Sequence, residues 1–384
     1  MNCSELTAAF RAHFASEPEA VFLAPGRINL LGGHTDYNHG LALPAAIDRH
    51  IGVVVRPRSD RRVRVFAADI GAEWTLELGG DAQPTADWQR YLAGGIAVFP
   101  APLPHGLDVL IAGDIPRGSG LSSSAALLVA WMLALRATTG AALSELAICQ
   151  LCQRVEHEHL GVKCGLLDPI GSLCPSPGAV LRVDFADLTM QSVPAPMTGL
   201  SWVVLHTGVH RSLASSGYGQ RVAECAEGLA RIQGSNPAVR TVRDITAEML
   251  SGDDVPMRRL RHVLAENERV EQASAALQAG RPEALGPLLL AAHDSLRDDY
   301  AVSCPELDAL VELAAAHPAC LGGRMMGGGF GGCTVNLVRT EGAAALMTSV
   351  LADYHQRFPH TGRAFAVRLV GGAQAHPVSA ENKP

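Results

Sequence analysis

Short apolar runs rich in β-branched residues alternate with longer helical patterns along the first half of the chain. The segment up to Phe14 has helical spacing, as do the stretches 125–136 and 143–159. The predicted strands are 21–23, 51–55, 63–66, 107–111, 180–183 and 202–205. Asp168-Pro169 predicts a further helix start, since Asp is a common N-cap residue and Pro fits the first helical position.

Long helical patterns dominate the second half of the chain. Helices are predicted at 217–232, 257–279 and 304–316, followed by a glycine-rich loop and a strand at 334–338. A last helix and a last strand close the chain. Strands interleaved with helices of antiparallel style favour the α+β class over a doubly wound parallel sheet.

The length of the chain predicts two domains, because 384 residues are too many for one comfortable hydrophobic core. No internal repeat or low-complexity linker marks the division. We place it near Pro194, which gives an N-terminal domain of residues 1–194 and a C-terminal domain of residues 195–384. Two domains create a cleft between them, where we expect the active site.

The composition narrows the class of partner. Hydrophobic residues make up 48% of the chain and charged residues 18%, as in an ordered globular protein. The net charge of −7 is not offset by a basic block, which argues against nucleic acid as a partner. The longest apolar run, 125–135, has about half the length that a transmembrane helix needs. Glu5 and Arg11 lie where the apolar region of an export signal would have to be, so we expect no such signal. We therefore expect a cytoplasmic protein whose nine cysteines are reduced thiols.

The strongest local signal is a run of small residues that leads into a predicted helix. It consists of Gly118, Ser119, Gly120, Leu121, Ser122, Ser123 and Ser124. Small residues let the backbone approach an anion closely, and the first amides of the helix add their positive dipole end. The run therefore predicts a phosphate-binding loop. The alternative is that the serines only cap the helix and the glycines only form a turn.

Two further segments combine special backbone residues with polar chemistry. Residues 323–332 contain six glycines and are followed directly by a strand, which favours close backbone packing against a ligand or another loop. Residues 26–38 place polar side chains between apolar ones, and such a cluster can bind several hydroxyl groups of a polyol. In that cluster Asp36 is able to accept hydrogen bonds from two hydroxyls. The alternative is a polar turn with capping residues.

In order and approximate spacing, these three segments resemble the signature motifs of the GHMP kinases. The first of them, residues 26–38, resembles the galactokinase signature within that superfamily. The resemblance covers nearly the whole chain, including 261–269 and 293–300. It implies a two-domain α+β fold and an ATP-dependent kinase that phosphorylates the C1 hydroxyl of a sugar, with galactose as the favoured substrate. ATP is then the co-substrate and Mg²⁺ the metal ion.

The resemblance also implies roles for particular residues. Asp168, in the segment C164-G-L-L-D168, would be the general base that accepts the proton of the C1 hydroxyl, and Arg27 would pair with it and stabilise charge on the phosphoryl group. Ser124 and Glu156 match the Mg²⁺ ligands of the family. The implied sugar-binding positions are Gly33, His34, Thr35, Asp36 and Tyr218, and the phosphate loop 118–124 would bind ATP.

Three positions depart from the galactokinase pattern. Gly33 stands where the family usually has Glu, Pro169 where it has Gln, and Gly217 where it has Glu. The first of these family residues binds the C6 hydroxyl of galactose, so Gly33 removes a charge-assisted hydrogen bond worth about 1.5 to 3 kcal/mol. It also removes a repulsion toward a carboxylate at C6 and opens space there. A C6-modified sugar such as galacturonic acid is therefore the alternative substrate.

Other interpretations also remain open from the sequence. A non-catalytic sugar sensor would be expected to have a damaged phosphate loop, whereas the loop is intact here. A kinase for mevalonate or homoserine would not need the residues His34 to Asn38 in this form. Asp168 could also act only as a helix cap. We expect a monomer, through the resemblance alone.

Overall fold

The computed structural model describes residues 2–80, 83–116, 118–209 and 214–378, and of residues 214–216 the backbone only. The helices are α1 (Cys3–Phe14), α2 (Asp87–Val98), α3 (Ser123–Thr139), α4 (Glu145–His159), α5 (Leu167–Leu173), α6 (Ala214–Ser235), α7 (Val255–Gln278), α8 (Leu285–Asp298), α9 (Pro305–Ala315) and α10 (Ala343–Arg357). The strands are β1 (Ala20–Asn29), β2 (Leu41–Ala42), β3 (Pro44–Pro57), β4 (Arg62–Ala67), β5 (Ala72–Glu77), β6 (Leu107–Gly113), β7 (Ala179–Asp184), β8 (Thr189–Pro194), β9 (Leu200–His206), β10 (Cys320–Met326), β11 (Cys333–Arg339), β12 (Arg363–Val367) and β13 (Gln374–Pro377).

The largest sheet has the strand order β13-β1-β3-β6-β4-β5, and its strand pairs are antiparallel except for β4 with β6. Helix α3 packs against β1 and β3 of this sheet. Every residue of α3 from Ala125 to Leu135 is buried, so the long apolar run of the sequence forms the central helix of the core. A helix that is apolar on all sides needs such surroundings.

Two smaller antiparallel sheets complete the described strands. One has the order β10-β11-β9-β12 and is packed against α8, α9 and α10, and the other has the order β2-β7-β8. Mostly antiparallel sheets with separate helices confirm the α+β class. Strand β13, near the end of the chain, pairs with β1 near its beginning. The division near Pro194 stays a prediction.

Glycine and proline residues explain why the sequence pattern did not predict two of the helices, α2 and α8. Helix α2 was missed because it contains Gly94 and Gly95, but these glycines let α2 lie close to its neighbours. A Cβ atom on Gly95 would lie 2.6 Å from Cδ1 of Trp131 in α3. Helix α8 was missed as well, because Gly286 and Pro287 lie in its first turn.

Two segments that were expected to be loops begin as strands. Strand β1 continues through Pro25 and Gly26 to Asn29, with a register shift between Pro25 and Arg27 that indicates a β-bulge. Strand β10 likewise includes Gly323, whose missing side chain makes room for Asn336 of β11: a Cβ atom would lie 2.0 Å from Asn336 Oδ1. Only residues 327–332 of the glycine-rich segment form the turn between β10 and β11.

Candidate active site

The centre of the site is an ion pair between strand β1 and helix α5. Arg27, at the β1 bulge, is 4% exposed and donates from Nε and Nη2 to Asp168 Oδ1 at 2.9 and 2.6 Å. Asp168 lies in the first turn of α5 and its side chain is 38% exposed. The arginine is therefore held inside the protein, while the carboxylate keeps a face that a ligand can reach.

The phosphate loop predicted from the sequence lies directly beside this ion pair. Arg27 Nη1 donates to the carbonyl oxygen of Gly120 at 2.5 Å, and Ser122 Oγ donates to Asp168 Oδ2 at 2.5 Å. Gly118, Gly120 and Ser122 have φ angles of 69°, 72° and 61°. This left-handed backbone favours glycine at the first two positions. The loop and the ion pair thus form one continuous structure.

The capping alternatives are wrong for both helices that meet here. Ser122 is the N-cap residue of α3 but makes no side-chain cap, because its hydroxyl is bonded to Asp168. Helix α5 begins at Leu167 with Leu166 as its N-cap residue, and no side chain caps it. The Asp168 carboxylate is bound by Arg27 and Ser122 instead, and the buried Pro169 fits within the first turn of α5.

The two expected metal ligands, Ser124 at the start of α3 and Glu156 on α4, lie together. Burial raises the pKa of Glu156, while hydrogen bonds from Cys164 and Ser124 act in the opposite direction. Burial and the charge of Glu156 raise the pKa of Tyr91 to about 12, and a hydrogen bond with Ser124 holds the phenol of Tyr91 in the same part of the site. Neither Tyr91 nor Cys164 had a predicted role in this part of the site. His157, Glu158 and His159 are exposed, as expected.

Aromatic side chains surround the sugar-signature residue His34. Its Nδ1 atom lies 2.8 Å from the Tyr37 hydroxyl, which lies 2.8 Å from the Tyr300 hydroxyl. The ring of Tyr218, on α6, lies 5.6 Å from that of His34 and 5.0 Å from that of Tyr37. Tyr300 ends the segment 293–300, which belongs to the part of the chain that resembles the family but had no predicted role in the site.

Asp36 is a partly buried carboxylate next to the loop that carries Asp168. Burial and the charge of Asp168 raise the pKa of Asp36 to about 6, although hydrogen bonds from backbone amides, including that of Leu167, partly oppose this. Gly165 is required here, since a Cβ atom would lie 1.8 Å from Asp36 Oδ2. The two carboxylates are therefore close enough to influence each other, as expected for groups that share one ligand.

Thr35, expected among the sugar-binding positions, is turned into the protein. It is fully buried, and its Oγ1 lies 3.0 Å from the carbonyl oxygen of Gly32 and 2.7 Å from that of Leu41. Its hydroxyl therefore holds the turn of the signature in shape.

The space that we expected beside Gly33 is filled by an arginine. A Cβ atom on Gly33 would lie 2.6 Å from Nη2 of Arg324, a fully buried residue of β10. Arg324 Nη1 donates to Glu266 Oε1 at 2.9 Å, and the same oxygen accepts from the Gly33 amide at 3.0 Å. Burial opposes the charge of Glu266, but Arg324 and Arg269 lower its pKa to about 2. Two arginines thus share one carboxylate, which leaves the cluster with a net positive charge.

Sequence reasoning missed this buried cluster, although its signal was present. Glu266 and Arg269 lie in the segment 261–269, together with His262, whose Nε2 is 2.9 Å from the Gly33 carbonyl oxygen. Burial lowers the pKa of His262 to about 4, so the ring is neutral at physiological pH and donates to that oxygen.

The departure at Gly217 also has a packing explanation. A Cβ atom on Gly217 would lie 2.6 Å from Cε2 of Phe330, in the turn between β10 and β11. The backbone amide of Phe330 donates to the Val302 carbonyl oxygen at 2.7 Å. The Arg221 guanidinium lies 6.0 Å from the Phe330 ring. The glycine-rich turn therefore packs on the start of α6, close to Tyr218.

A cavity of about 520 Å³ adjoins the signature and the loop that carries Cys164. Its lining includes Asp36, Tyr37, residues 163–166, Phe185 and Val222.

Comparison with known proteins agrees with this geometry. The galactokinase galactose-binding signature matches residues 8–57, the GHMP kinases N terminal domain matches 90–175, and the GHMP kinases C terminal domain matches 273–356. The galactokinase of Chloroflexus aggregans is 41% identical over 94% of this chain and 93% of its own length. The human galactokinase is 40% identical over 91% of this chain and 92% of its own length.

Solved structures give the same result. The crystal structure of Lactococcus lactis galactokinase complexed with galactose has a TM-score of 0.89 at 32% identity, covering 97% of this chain and 99% of that one. A mevalonate kinase structure, at 16% identity and a TM-score of 0.65, shares the fold over 91% of this chain and 99% of its own. The fold and the site therefore define a GHMP kinase, a phosphotransferase with an alcohol group as acceptor. Within this class, the chain belongs to the galactokinase family.

Membership of this family makes ATP the co-substrate and a sugar the acceptor. Across the described ranges, no helix combines the length and the apolar character needed to cross a membrane.

Proposed function

We propose that this protein transfers the γ-phosphoryl group of ATP to the C1 hydroxyl of galactose. The observation that carries the proposal is the Arg27–Asp168 ion pair, joined through Gly120 and Ser122 to the phosphate loop. A base, a cation and an anion-binding loop in direct contact are the parts that phosphoryl transfer to an alcohol requires.

Asp168 acts as the general base in this proposal. Its Oδ1 accepts two hydrogen bonds from Arg27 and its Oδ2 accepts one from Ser122, so the orientation of the carboxylate is set before substrate arrives. Its partial exposure leaves room for the acceptor hydroxyl. The C1 hydroxyl of a sugar is more acidic than its other hydroxyls, so it needs only a weak base.

Arg27 and the phosphate loop provide the electrostatic part of the reaction. The positive end of α3 and the loop backbone at 118–124 bind phosphate oxygens. Arg27 stabilises negative charge on the phosphoryl group during transfer, from a buried position where its charge is poorly screened. Because Arg27 also holds Asp168, the base and the phosphoryl group are aligned by a single side chain.

The residues near Ser124 fit a magnesium ion. The Glu156 carboxylate is buried enough for its pKa to be raised, so a nearby cation would stabilise its charged form. A carboxylate and a hydroxyl, completed by phosphate oxygens and water, form the oxygen ligand set that Mg²⁺ prefers. When bound, the ion would neutralise charge on the phosphates. Ser124 and Glu156 are the residues that would hold it.

Galactose is the favoured acceptor because the related proteins are named galactokinases and one was crystallised with galactose. In this chain Asp36, His34 and Tyr218 would bind the sugar hydroxyls. Asp36 is suited to this role because its carboxylate lacks full hydration, so sugar hydroxyls that donate to it replace lost hydrogen bonds. The intact loop and ion pair argue against the sensor interpretation.

The position of Arg324 supports a second candidate substrate, a sugar with a carboxylate at C6. The Arg324 guanidinium lies where the side chain of residue 33 would begin. Arg324 and Arg269 share the single carboxylate of Glu266, so this cluster has one positive charge more than it has negative charges. Because Arg324 is fully buried, it would favour a substrate carboxylate near Gly33 through its charge and not through direct contact. Monomeric state and a cytoplasmic location remain predictions from the sequence.

ADP release with Mg-ATP tests both candidates. The acceptors are galactose, galacturonic acid, N-acetylgalactosamine, arabinose and glucose, each assayed with the wild type, Asp168→Asn and Gly33→Glu. Turnover on galactose that is lost in Asp168→Asn supports the proposal, and improvement by Gly33→Glu would identify a weakened C6 contact. Preference for galacturonic acid would support the second candidate if Gly33→Glu abolishes it while the same variant still phosphorylates galactose, because a general disturbance from the contact with Arg324 would remove both activities. Absence of turnover on every sugar would overturn both.

A further inference from the structure

Cys164 is bonded to helix α4 through both its backbone and its side chain. Gln153 Nε2 and His157 Nε2 lie 3.0 and 2.9 Å from its carbonyl oxygen, and its thiol donates to Glu156 Oε2 at 2.5 Å. Residues 153, 156 and 157 face the same way because positions three and four apart share one side of a helix. One residue of the loop therefore meets three neighbouring side chains of α4.

The segment around Cys164 links the parts of the site. Glu156 precedes it on α4, Gly165 contacts Asp36, and Asp168 follows four residues later. Val162 is tied back to α4 as well, since its amide donates to the Glu156 carbonyl oxygen at 2.9 Å. The loop backbone is thus held to α4 at two points that do not involve the thiol. The thiol itself has a different partner, the carboxylate.

We propose that Cys164 is a positioning residue whose thiol fixes the Glu156 carboxylate for binding of a divalent cation. The inference rests on the proposed function, in which Glu156 is a metal ligand. A glutamate has several rotatable bonds, and an oriented carboxylate loses less freedom when a cation binds. The thiol occupies one side of Oε2, and the lone pairs of the carboxylate that neither the thiol nor Ser124 uses stay open to the ion.

The geometry separates this role from a merely structural one. Because Gln153 and His157 hold the carbonyl oxygen, Cys164→Ala should remove the hydrogen bond to Glu156 and leave the loop in place. Cys164→Ser keeps a donor at nearly the same position. Gln153→Ala is the matched control, since it removes one bond to the same loop residue but does not touch the carboxylate.

The test is direct binding of Mn²⁺ to the full-length protein with a non-hydrolysable ATP analogue, followed by electron paramagnetic resonance of free Mn²⁺. Partners behind a metal ligand typically contribute 10- to 100-fold in affinity, and a thiol is a weak donor, so we expect Cys164→Ala to weaken Mn²⁺ binding by about tenfold. Cys164→Ser and Gln153→Ala should stay within about threefold of the wild type. Galactose binding, measured calorimetrically without metal or nucleotide, should change by less than about twofold in Cys164→Ala.

Two results would overturn the inference. Equal Mn²⁺ affinity in the wild type and Cys164→Ala would show that the thiol does not position Glu156. Parallel loss of Mn²⁺ and galactose binding in both Cys164 variants would show a structural role for the loop instead. A wild type that binds nucleotide but no Mn²⁺, or one that phosphorylates no sugar, would refute the proposed function itself, and this outcome is distinct from the other two.

Discussion

Asp36→Asn should make the unliganded protein more stable while weakening its binding of sugar. The charged form of Asp36 destabilises the folded protein, because burial and the charge of Asp168 raise the pKa of Asp36 from 3.8 to about 6. A native pKa above the unfolded value means that the native state holds more protons between these limits. Stability therefore falls as pH rises through that window, and the full loss is present above it.

The size of the effect follows from the two pKa values. The difference between a pKa of 3.8 in the unfolded chain and about 6 in the native protein corresponds to about 3 kcal/mol at pH 8 and roughly half of that at pH 5, where the native carboxyl is mostly protonated. Asparagine removes the charge. Its side-chain oxygen accepts weaker hydrogen bonds than the wild-type carboxylate does from the same backbone amides. We therefore expect a net stabilisation of about 1 to 2 kcal/mol at pH 8.

Urea unfolding of the wild type and Asp36→Asn at pH 5 and pH 8, without ligands, measures this difference. Asp353→Asn, at an exposed position of α10, controls for a general change of charge. The galactose dissociation constant of each protein provides the functional readout. A free-energy difference between the wild type and Asp36→Asn that is equal at the two pH values would refute the electrostatic reasoning.

Three further predictions concern the ion pair and the packing around it. Asp168→Asn should lower kcat by about 10² to 10⁴ in a protein that still folds, and activity within tenfold of the wild type would exclude Asp168 as the base. Because the variant leaves buried Arg27 without its partner charge, its thermal midpoint should also fall. Gly217→Ala places a methyl group 2.6 Å from the Phe330 ring and should destabilise the protein by about 1 to 3 kcal/mol in urea unfolding. The double variant with Phe330→Ala should show a smaller loss than the sum of the two single changes, and strict additivity would contradict the contact. Glu266→Gln leaves buried Arg324 without its partner charge and should cost about 3 to 5 kcal/mol, so a change below 1 kcal/mol would count against a structural role for this pair.

Local patterns in the sequence were sufficient for much of the fold and for the outline of the site. The apolar run 125–135 could only be a buried helix, and the small residues before it predicted a phosphate loop, because both depend on neighbours in the chain. The α+β class followed from the mixture of strands and helices. Helices α2 and α8 were missed, since their glycines are explained only by residues that pack against them from elsewhere.

Only the tertiary structure decided how the site residues are used. Arg27 and Asp168 are 141 residues apart, and the sequence paired them through a resemblance alone. Thr35 looked like its neighbours in the signature, yet its hydroxyl faces the backbone. The space predicted at Gly33 depended on what lies beyond it, and there Arg324 fills it from a strand nearly 300 residues later. A sequence specifies which groups are present, whereas their orientation and burial depend on contacts that form only when distant segments pack together.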